Sequence, residues 1–200
     1  MEHDSGTPYE RDSLTGDALR QLFEQAVLCV VRHRDVLNAL NVFPVPDGDT
    51  GTNLALTLQD AIKALEDQEN DKETVADVAS VIARGALLGA RGNSGVIFSQ
   101  FLKGFAESLG ENVECNGPTI TRALSVAADS AYQAVGNPVE GTMLTVMRAA
   151  AQPALSLAND AHAETSLQDA WTLAYKAAFD ALLNTPNQLQ VLREAGVVDA

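Results

Sequence analysis

Asn41–Asn53 reads NVFPVPDGDTGTN, and the rest of the chain is arranged around this stretch. Pro44 and Pro46 lack amide protons and fix φ at about −65°, so the approach to the loop is extended rather than helical. Asp47 and Asp49 follow, separated by one glycine, and the apolar residues after Asn53 begin a helix. A stiff loop therefore delivers two carboxylates to the N-terminus of a helix.

Carboxylates and a helix N-terminus together indicate a site for a metal and a phosphate. Mg²⁺ prefers carboxylate oxygens, and the free amides of a helix N-terminus bind phosphate. The alternative is ordinary turn and cap chemistry, which uses the same residue types. A calcium loop of the EF-hand kind is excluded, because the sixth position from Asp47 is Thr52 and the twelfth is Leu58. No Gly-Lys-Ser/Thr of a Walker A loop occurs.

Composition sets the class of protein and excludes several partners. The 200 residues are 46% hydrophobic and 20% charged, which is typical of one globular domain. With 13 Lys and Arg against 27 Asp and Glu, the net charge is −14. Such a surface repels nucleic acid and anionic membranes, and a nucleotide would need a divalent cation to bind.

The remaining composition predicts a cytoplasmic protein. Cys29 and Cys115 form no CxxC pair, so two free thiols in a reducing compartment are expected. The acidic, polar N-terminus does not resemble a signal peptide. No apolar stretch approaches the roughly 18 residues of a membrane span.

Apolar residues recur with helical spacing along nearly the whole chain. The predicted helices cover residues 13–39, 51–65, 74–88, 93–109, 118–135, 141–158, 165–184 and a short 188–195. Pro153 should kink or end the sixth. The predicted fold class is all-α, an antiparallel up-and-down helical barrel of about eight helices. It forms one domain over residues 13–200, after a flexible N-terminus at 1–12.

Three glycine-containing loops should meet at one end of this array. In an up-and-down arrangement the second, fourth and sixth helices begin at the same end, with PDGDTGTN, GNSG and GNPVEGTM. The seventh helix should end there too. None of the three loops contains lysine. Metal and helix amides would then carry the charge of a phosphate, which suits phosphoryl transfer.

Gly85 and Gly89 lie four residues apart, on one face of the third helix. This spacing fits either tight packing against another helix or the close approach of a ligand.

The motifs NVFPVPDGDTGTN, GALLGARGNSGVIFSQ, GNPVEGTM and GVVDA closely resemble the N-terminal nucleotide-binding domain of bacterial fatty acid kinase. That domain is similar to the ADP-binding subunit of dihydroxyacetone kinase. The resemblance covers about residues 15–200 and implies a helical barrel that binds ATP or ADP with two Mg²⁺. It further implies transfer of the γ-phosphate to a fatty acid on a separate carrier protein, giving an acyl phosphate for phospholipid synthesis. The domain would be part of a longer chain.

The resemblance also assigns residues. Asp47 and Asp49 would bind metal, and Asn41 stands near a third ligand position. Arg91 would neutralise the transferring phosphoryl group, or else be a cation favoured by a helix C-terminus. No general base is needed, because a fatty carboxylate is already ionised at neutral pH. The nucleotide-binding residues implied are Thr50, Gly51, Thr52, Asn53, Asn93, Ser94, Gly95, Gly141, Thr142, Met143 and Asp199.

Two alternatives remain beside fatty acid phosphorylation. One is the nucleotide subunit of a dihydroxyacetone-type kinase. The other is a non-catalytic adaptor that senses nucleotide and uses the same end of the barrel to dock a partner.

Overall fold

The computed structural model describes residues 13–41, 43–68, 73–158 and 165–189. Within these ranges the chain is all-α, as predicted, and its one β-type contact is an isolated antiparallel bridge between Leu14 and Cys115. Eight helices follow one another along the chain: α1 Gly16–Arg32, α2 Arg34–Leu40, α3 Thr50–Glu66, α4 Val75–Leu88, α5 Gly92–Leu109, α6 Gly117–Gln133, α7 Met143–Ala158 and α8 Leu167–Gln188.

Four helices begin at one end of the molecule. The bridge between Leu14 and Cys115 joins the start of α1 to the start of α6. The amide of Val75 donates to the carbonyl of Val113 at 2.9 Å, which brings the start of α4 to the same place. Gly117 lies against the backbone of Ser166, so α8 also begins there. The helices α3, α5 and α7 therefore begin at the opposite end.

Consecutive helices from α3 to α7 pack on one another in chain order. Helix α8 packs on α6 and α7, whereas α1 packs on α3 and α4. The core between them is rich in alanine, which lets helix axes approach closely. Its largest members with almost no exposed area are Leu14, Leu65, Leu109 and Ile120.

The helix predicted over residues 13–39 is interrupted at His33. The first segment ends at Arg32 and a second begins at Arg34. Both the backbone amide and ring Nδ1 of His33 lie within hydrogen-bonding distance of the Cys29 carbonyl, at 3.2 and 2.8 Å. The side chain therefore competes for a carbonyl that a continuous helix would use, and no proline or glycine marks the break.

Other predicted boundaries also shift. Helix α5 begins before Asn93 and Ser94, which were expected as caps but lie in its first turn. Asn116 caps α6, which begins at Gly117, one residue ahead of the predicted start at Pro118. Helix α7 begins at Met143, two residues after the predicted start, and continues past Pro153 to Ala158, the predicted end.

The last two helices show a further difference. Helix α8 runs to Gln188, four residues beyond the predicted end at Asn184. The N-terminus at 1–12 lies outside the described residues. So does the short helix predicted over 188–195, except for its first two residues, Gln188 and Leu189.

Both cysteines are free thiols, as predicted, with Cys29 exposed and Cys115 buried. Burial raises the pKa of Cys115 to about 12. None of the helices in the described part of the chain is both long and apolar enough to cross a lipid bilayer.

Candidate functional site

A cavity of about 610 Å³ lies at the end of the molecule where α3, α5 and α7 begin. Its walls come from three segments that are distant in sequence: the end of α2 with the following loop, the first turn of α5, and the loop between α6 and α7. The hydroxyl of Ser94 donates to the Thr50 carbonyl at 3.2 Å and so joins the first two segments. The predicted convergence of three loops is confirmed.

The cavity separates the predicted site residues into two groups. Seven of them line it: Asn41, Thr50, Asn93, Ser94, Gly141, Thr142 and Met143. Seven others do not line it: Asp47, Asp49, Gly51, Thr52, Asn53, Arg91 and Gly95. Asp199 lies outside the described residues.

Most of the cavity wall is apolar, and among the residues that the structure describes no charged side chain is part of it. The apolar residues include Leu37 and Leu40 from α2, Phe43 from the following loop, and Val135 and Val139 from the loop between α6 and α7. Pockets for small molecules are commonly apolar with a few polar groups that fix orientation. Here those polar groups are asparagine, serine and threonine side chains, some at helix starts and some in the loops that precede them.

Side-chain capping differs between the two ends of the molecule. At the end away from the cavity, α1, α4, α6 and α8 are each capped by a side chain, from Thr15, Thr74, Asn116 and Ser166. At the cavity, the N-cap residues of α3 and α5 are Asp49 and Arg91, and neither makes a side-chain cap hydrogen bond. In α5 the first-turn amides therefore receive no hydrogen bond from a cap side chain, whereas in α3 a side chain of α2, that of Asn38, bonds the Thr52 amide in place of the cap.

The loop before α3 is organised by Asn41. Its side-chain Oδ1 accepts from the amide of Gly48 at 3.0 Å, and its Nδ2 lies 3.4 Å from the carbonyls of Phe43 and Val45. Sequence reasoning treated Asn41 as a metal ligand, whereas the structure gives it this role in holding the loop. An amide oxygen has two lone pairs, so one remains for another partner.

Asp47 and Asp49 are both exposed on this loop. Neither carboxylate has a hydrogen-bond or ion-pair partner among the residues that the structure describes. Within those same residues, no three Asp, Glu, His or Cys side chains are grouped as metal ligands. Two carboxylates alone suit Mg²⁺ that arrives with a nucleotide, since this ion keeps waters and takes its other ligands from phosphate.

Asn38 supports the first turn of α3 and was not identified from the sequence. Its Oδ1 accepts from the Thr52 amide at 3.0 Å, and its Nδ2 donates to the Thr52 hydroxyl at 2.9 Å. Gly51 is buried against Arg34 and Leu37 of α2. A polar residue near the end of a helix carries no signal for such a pairing, which depends on how α2 and α3 pack.

Arg91 is bound by residues outside the cavity. Its guanidinium donates to Asp60 Oδ2 at 2.7 Å and to the Gly89 carbonyl at 3.0 Å. Its amide donates to the hydroxyl of Thr57 at 3.1 Å. The ion pair with Asp60 is partly exposed, so the energy that holds Arg91 in this position is small.

The loop between α6 and α7 is fixed by Glu140. This carboxylate accepts from the Thr145 hydroxyl at 2.7 Å and from Tyr132 at 3.2 Å, and it pairs with Arg148. The Arg148 guanidinium lies 4.5 Å from the centroid of the Tyr132 ring. Burial raises the pKa of Glu140, but hydrogen bonds from Thr145 and Arg148 outweigh it and hold the pKa below its ordinary value.

Proteins similar to this chain occur in bacteria. It is 39% identical over 188 residues to Protein YloV of Bacillus subtilis (strain 168), a match that covers 94% of this chain. It is 37% identical over 187 residues to uncharacterized proteins of Staphylococcus aureus strains USA300 and N315, again over 94% of the chain. The chain spans about a third of the length of these relatives, 33% in each case.

A family match covers most of the same region. The DAK2 domain matches residues 44–200, which include the loop with both aspartates, the start of α5 and the loop between α6 and α7. Domains of this family are related to dihydroxyacetone kinase. Two of the three wall segments of the cavity thus fall entirely within the match, most of the first segment precedes it, and the chain belongs to the DAK2 domain family.

Proposed function

We propose that this chain is the nucleotide-binding domain of a phosphotransferase and that it binds ATP or ADP with Mg²⁺ in the cavity between α3, α5 and α7. The observation that carries the proposal is that two helices without side-chain caps begin at one cavity, beside two exposed aspartates. Helix N-termini of this kind bind phosphate. The kinase relationship of the family supports the same conclusion.

The residues have separate roles in this proposal. Asp47 and Asp49 hold Mg²⁺, with the second lone pair of Asn41 as a further ligand position. The amides of Thr50 and Gly51 in α3 and those of the first turn of α5 bind the phosphates, together with the polar side chains of Thr50, Asn93 and Ser94. The apolar wall takes the nucleoside. Mg²⁺, when bound, would neutralise phosphate charge for which the described part of the cavity wall offers no cation.

A finer proposal concerns the acceptor of the phosphate. The motifs quoted above resemble those of fatty acid kinase, which favours a fatty acid on a carrier protein as the acceptor. The chain spans a third of its relatives' length. We therefore propose that the acceptor binds in another part of a longer protein that contains this domain. A dihydroxyacetone-type acceptor is the second candidate, and the family match favours it.

Thermal unfolding with ADP, with and without Mg²⁺, tests nucleotide binding. A ligand at a hundredfold excess over Kd stabilises the native state by about 2.7 kcal/mol. We expect a higher midpoint with ADP and Mg²⁺ together, and little change with ADP alone. Asp47→Ala and Asp49→Ala should each remove the metal-dependent shift. Asp67→Ala, an exposed aspartate at the other end of α3, is the matched control and should retain it.

Three results would decide between the candidates. No shift in a well-folded sample would contradict nucleotide binding altogether. A shift that survives Asp47→Ala and Asp49→Ala would contradict the metal assignment alone. For the acceptor, ADP release from ATP is measured on the longer protein that contains this domain, with a fatty acid on its carrier, with dihydroxyacetone and with neither. If the protein binds nucleotide but releases no ADP under any of these three conditions, the result favours the non-catalytic adaptor.

A further inference from the structure

Glu140 stands next to the cavity without being part of its wall. The residues on both sides of it, Val139 and Gly141, line the cavity, whereas the Glu140 side chain faces α6 and α7. The hydroxyl of Thr142 donates to the Val139 carbonyl at 2.8 Å and closes the turn around Glu140. The carboxylate can therefore affect a ligand only through the backbone that it holds.

Glu140 holds the turn through hydrogen bonds of Thr145, a residue with only 8% of its surface exposed. Its hydroxyl accepts from the Gly141 amide at 2.9 Å and donates to Glu140 Oε2 at 2.7 Å. A hydroxyl has one proton, so donation to the carboxylate turns an oxygen lone pair toward Gly141. The charge on Glu140 strengthens both bonds of this short chain.

On its other side the turn lies against the end of α8. Gly141 has φ of +82°, and a Cβ there would lie 2.8 Å from the Leu189 amide nitrogen and 2.9 Å from the Thr185 carbonyl. A side chain at this position would thus be both strained and in collision. The turn is therefore held on one side by the hydrogen bond to Thr145 and limited on the other by contact with the end of α8.

We propose that Glu140 is a positioning residue for the nucleotide: through Thr145 it fixes the Gly141–Met143 turn in the conformation that forms one wall of the cavity. This inference rests on the proposed function. It assigns a role to the acidic residue of GNPVEGTM that the sequence did not indicate. Tyr132 and Arg148 act in the same arrangement, because their bonds to Glu140 keep its carboxylate directed at Thr145.

Affinity for ADP with Mg²⁺, measured by calorimetry, tests the positioning role. Glu140→Ala should weaken binding about tenfold or more, because the turn loses a charged hydrogen-bond acceptor. Glu140→Gln should recover most of this loss, since its amide oxygen still accepts from Thr145 while the half-exposed Arg148 turns to water. Glu107→Ala removes another exposed glutamate paired with a cation, on α5, and should bind as the wild type does.

Hydrogen exchange in ligand-free protein tests the hold on the turn itself. Glu140→Ala should raise the exchange rate of the Gly141 amide about tenfold relative to wild type, with the Glu107→Ala rate unchanged. Unchanged exchange, or binding by Glu140→Ala within twofold of wild type, would overturn the positioning role. So would equal losses in Glu140→Ala and Glu140→Gln. If wild-type protein binds no nucleotide, the proposed function fails, and the exchange rates still decide whether Glu140 holds the turn.

Discussion

Thr57 shows how one buried hydroxyl connects two of the helices that form the cavity. It lies on α3 with no exposed area, donates to the Asn53 carbonyl at 2.7 Å and accepts from the Arg91 amide at 3.1 Å. Gly95, on the first turn of α5, packs directly against this hydroxyl. Thr57 therefore connects the starts of α3 and α5, in addition to the bond from Ser94 to Thr50.

Thr57→Val should destabilise the protein by about 1–3 kcal/mol, because valine keeps the volume but leaves the Arg91 amide without its acceptor. Denaturant unfolding measures the change. Thr185→Val is the control, since that buried hydroxyl donates only within its own helix, to the Leu182 carbonyl. If Thr57→Val costs no more than Thr185→Val, the hydroxyl does not connect the two helices energetically.

At the scale of elements, α3 and α4 approach closely because α4 presents glycine at the crossing. A Cβ on Gly85 would lie 2.7 Å from both Ala61 Cα and Ala64 Cβ of α3. Gly89, one turn later, packs against Asp60 of the same helix. Of the two interpretations of this glycine pair, tight helix packing is therefore the one that the structure supports.

Gly85→Ala should destabilise the protein by about 1–3 kcal/mol, because overpacking outweighs the better helix propensity of alanine. Thermal or denaturant unfolding measures the loss. Gly136→Ala is the comparison, since a Cβ at Gly136 would have no atom within 4 Å. Equal stability of Gly85→Ala and wild type would mean that α3 and α4 can separate at little cost.

At the scale of the whole molecule, the net charge of −14 opposes compaction. The described ion pairs are few and mostly exposed, so they offset little of the repulsion. Raising KCl from about 10 to about 150 mM shortens the Debye length from roughly 30 to 8 Å. Repulsion between surface carboxylates should therefore weaken as salt is added.

We expect the midpoint of thermal unfolding to rise by about 2–4 °C over this range, as a gain of about 1 kcal/mol would produce in a protein of this size. Calorimetry of the ligand-free protein at constant pH measures it. MgCl₂ at matched ionic strength should stabilise wild type more than the double variant Asp47→Ala/Asp49→Ala. If the midpoint instead falls as KCl is added, repulsion between surface carboxylates is not the dominant electrostatic effect on stability.

Local signals in the sequence predicted a large part of the fold. Thr74 and Ser166 cap α4 and α8 where the sequence predicts these helices to begin, because a cap depends only on residues within one turn. The convergence of the three loops at one end was also predictable, since short connections force consecutive helices to run in opposite directions. The break at His33 did not disturb this, because α1 begins at the far end and α2 still ends at the cavity.

The sequence by itself determined the all-α class, the alternation of helices and the two aspartates presented before α3, because each depends on spacing or on neighbours along the chain. Only the tertiary structure decided that Asn38 holds Thr52, that Arg91 pairs with Asp60, and that Gly141 lies against the end of α8. These contacts join residues 14, 31 and about 45 positions apart. No local pattern encodes them, since they exist only once the helices have packed.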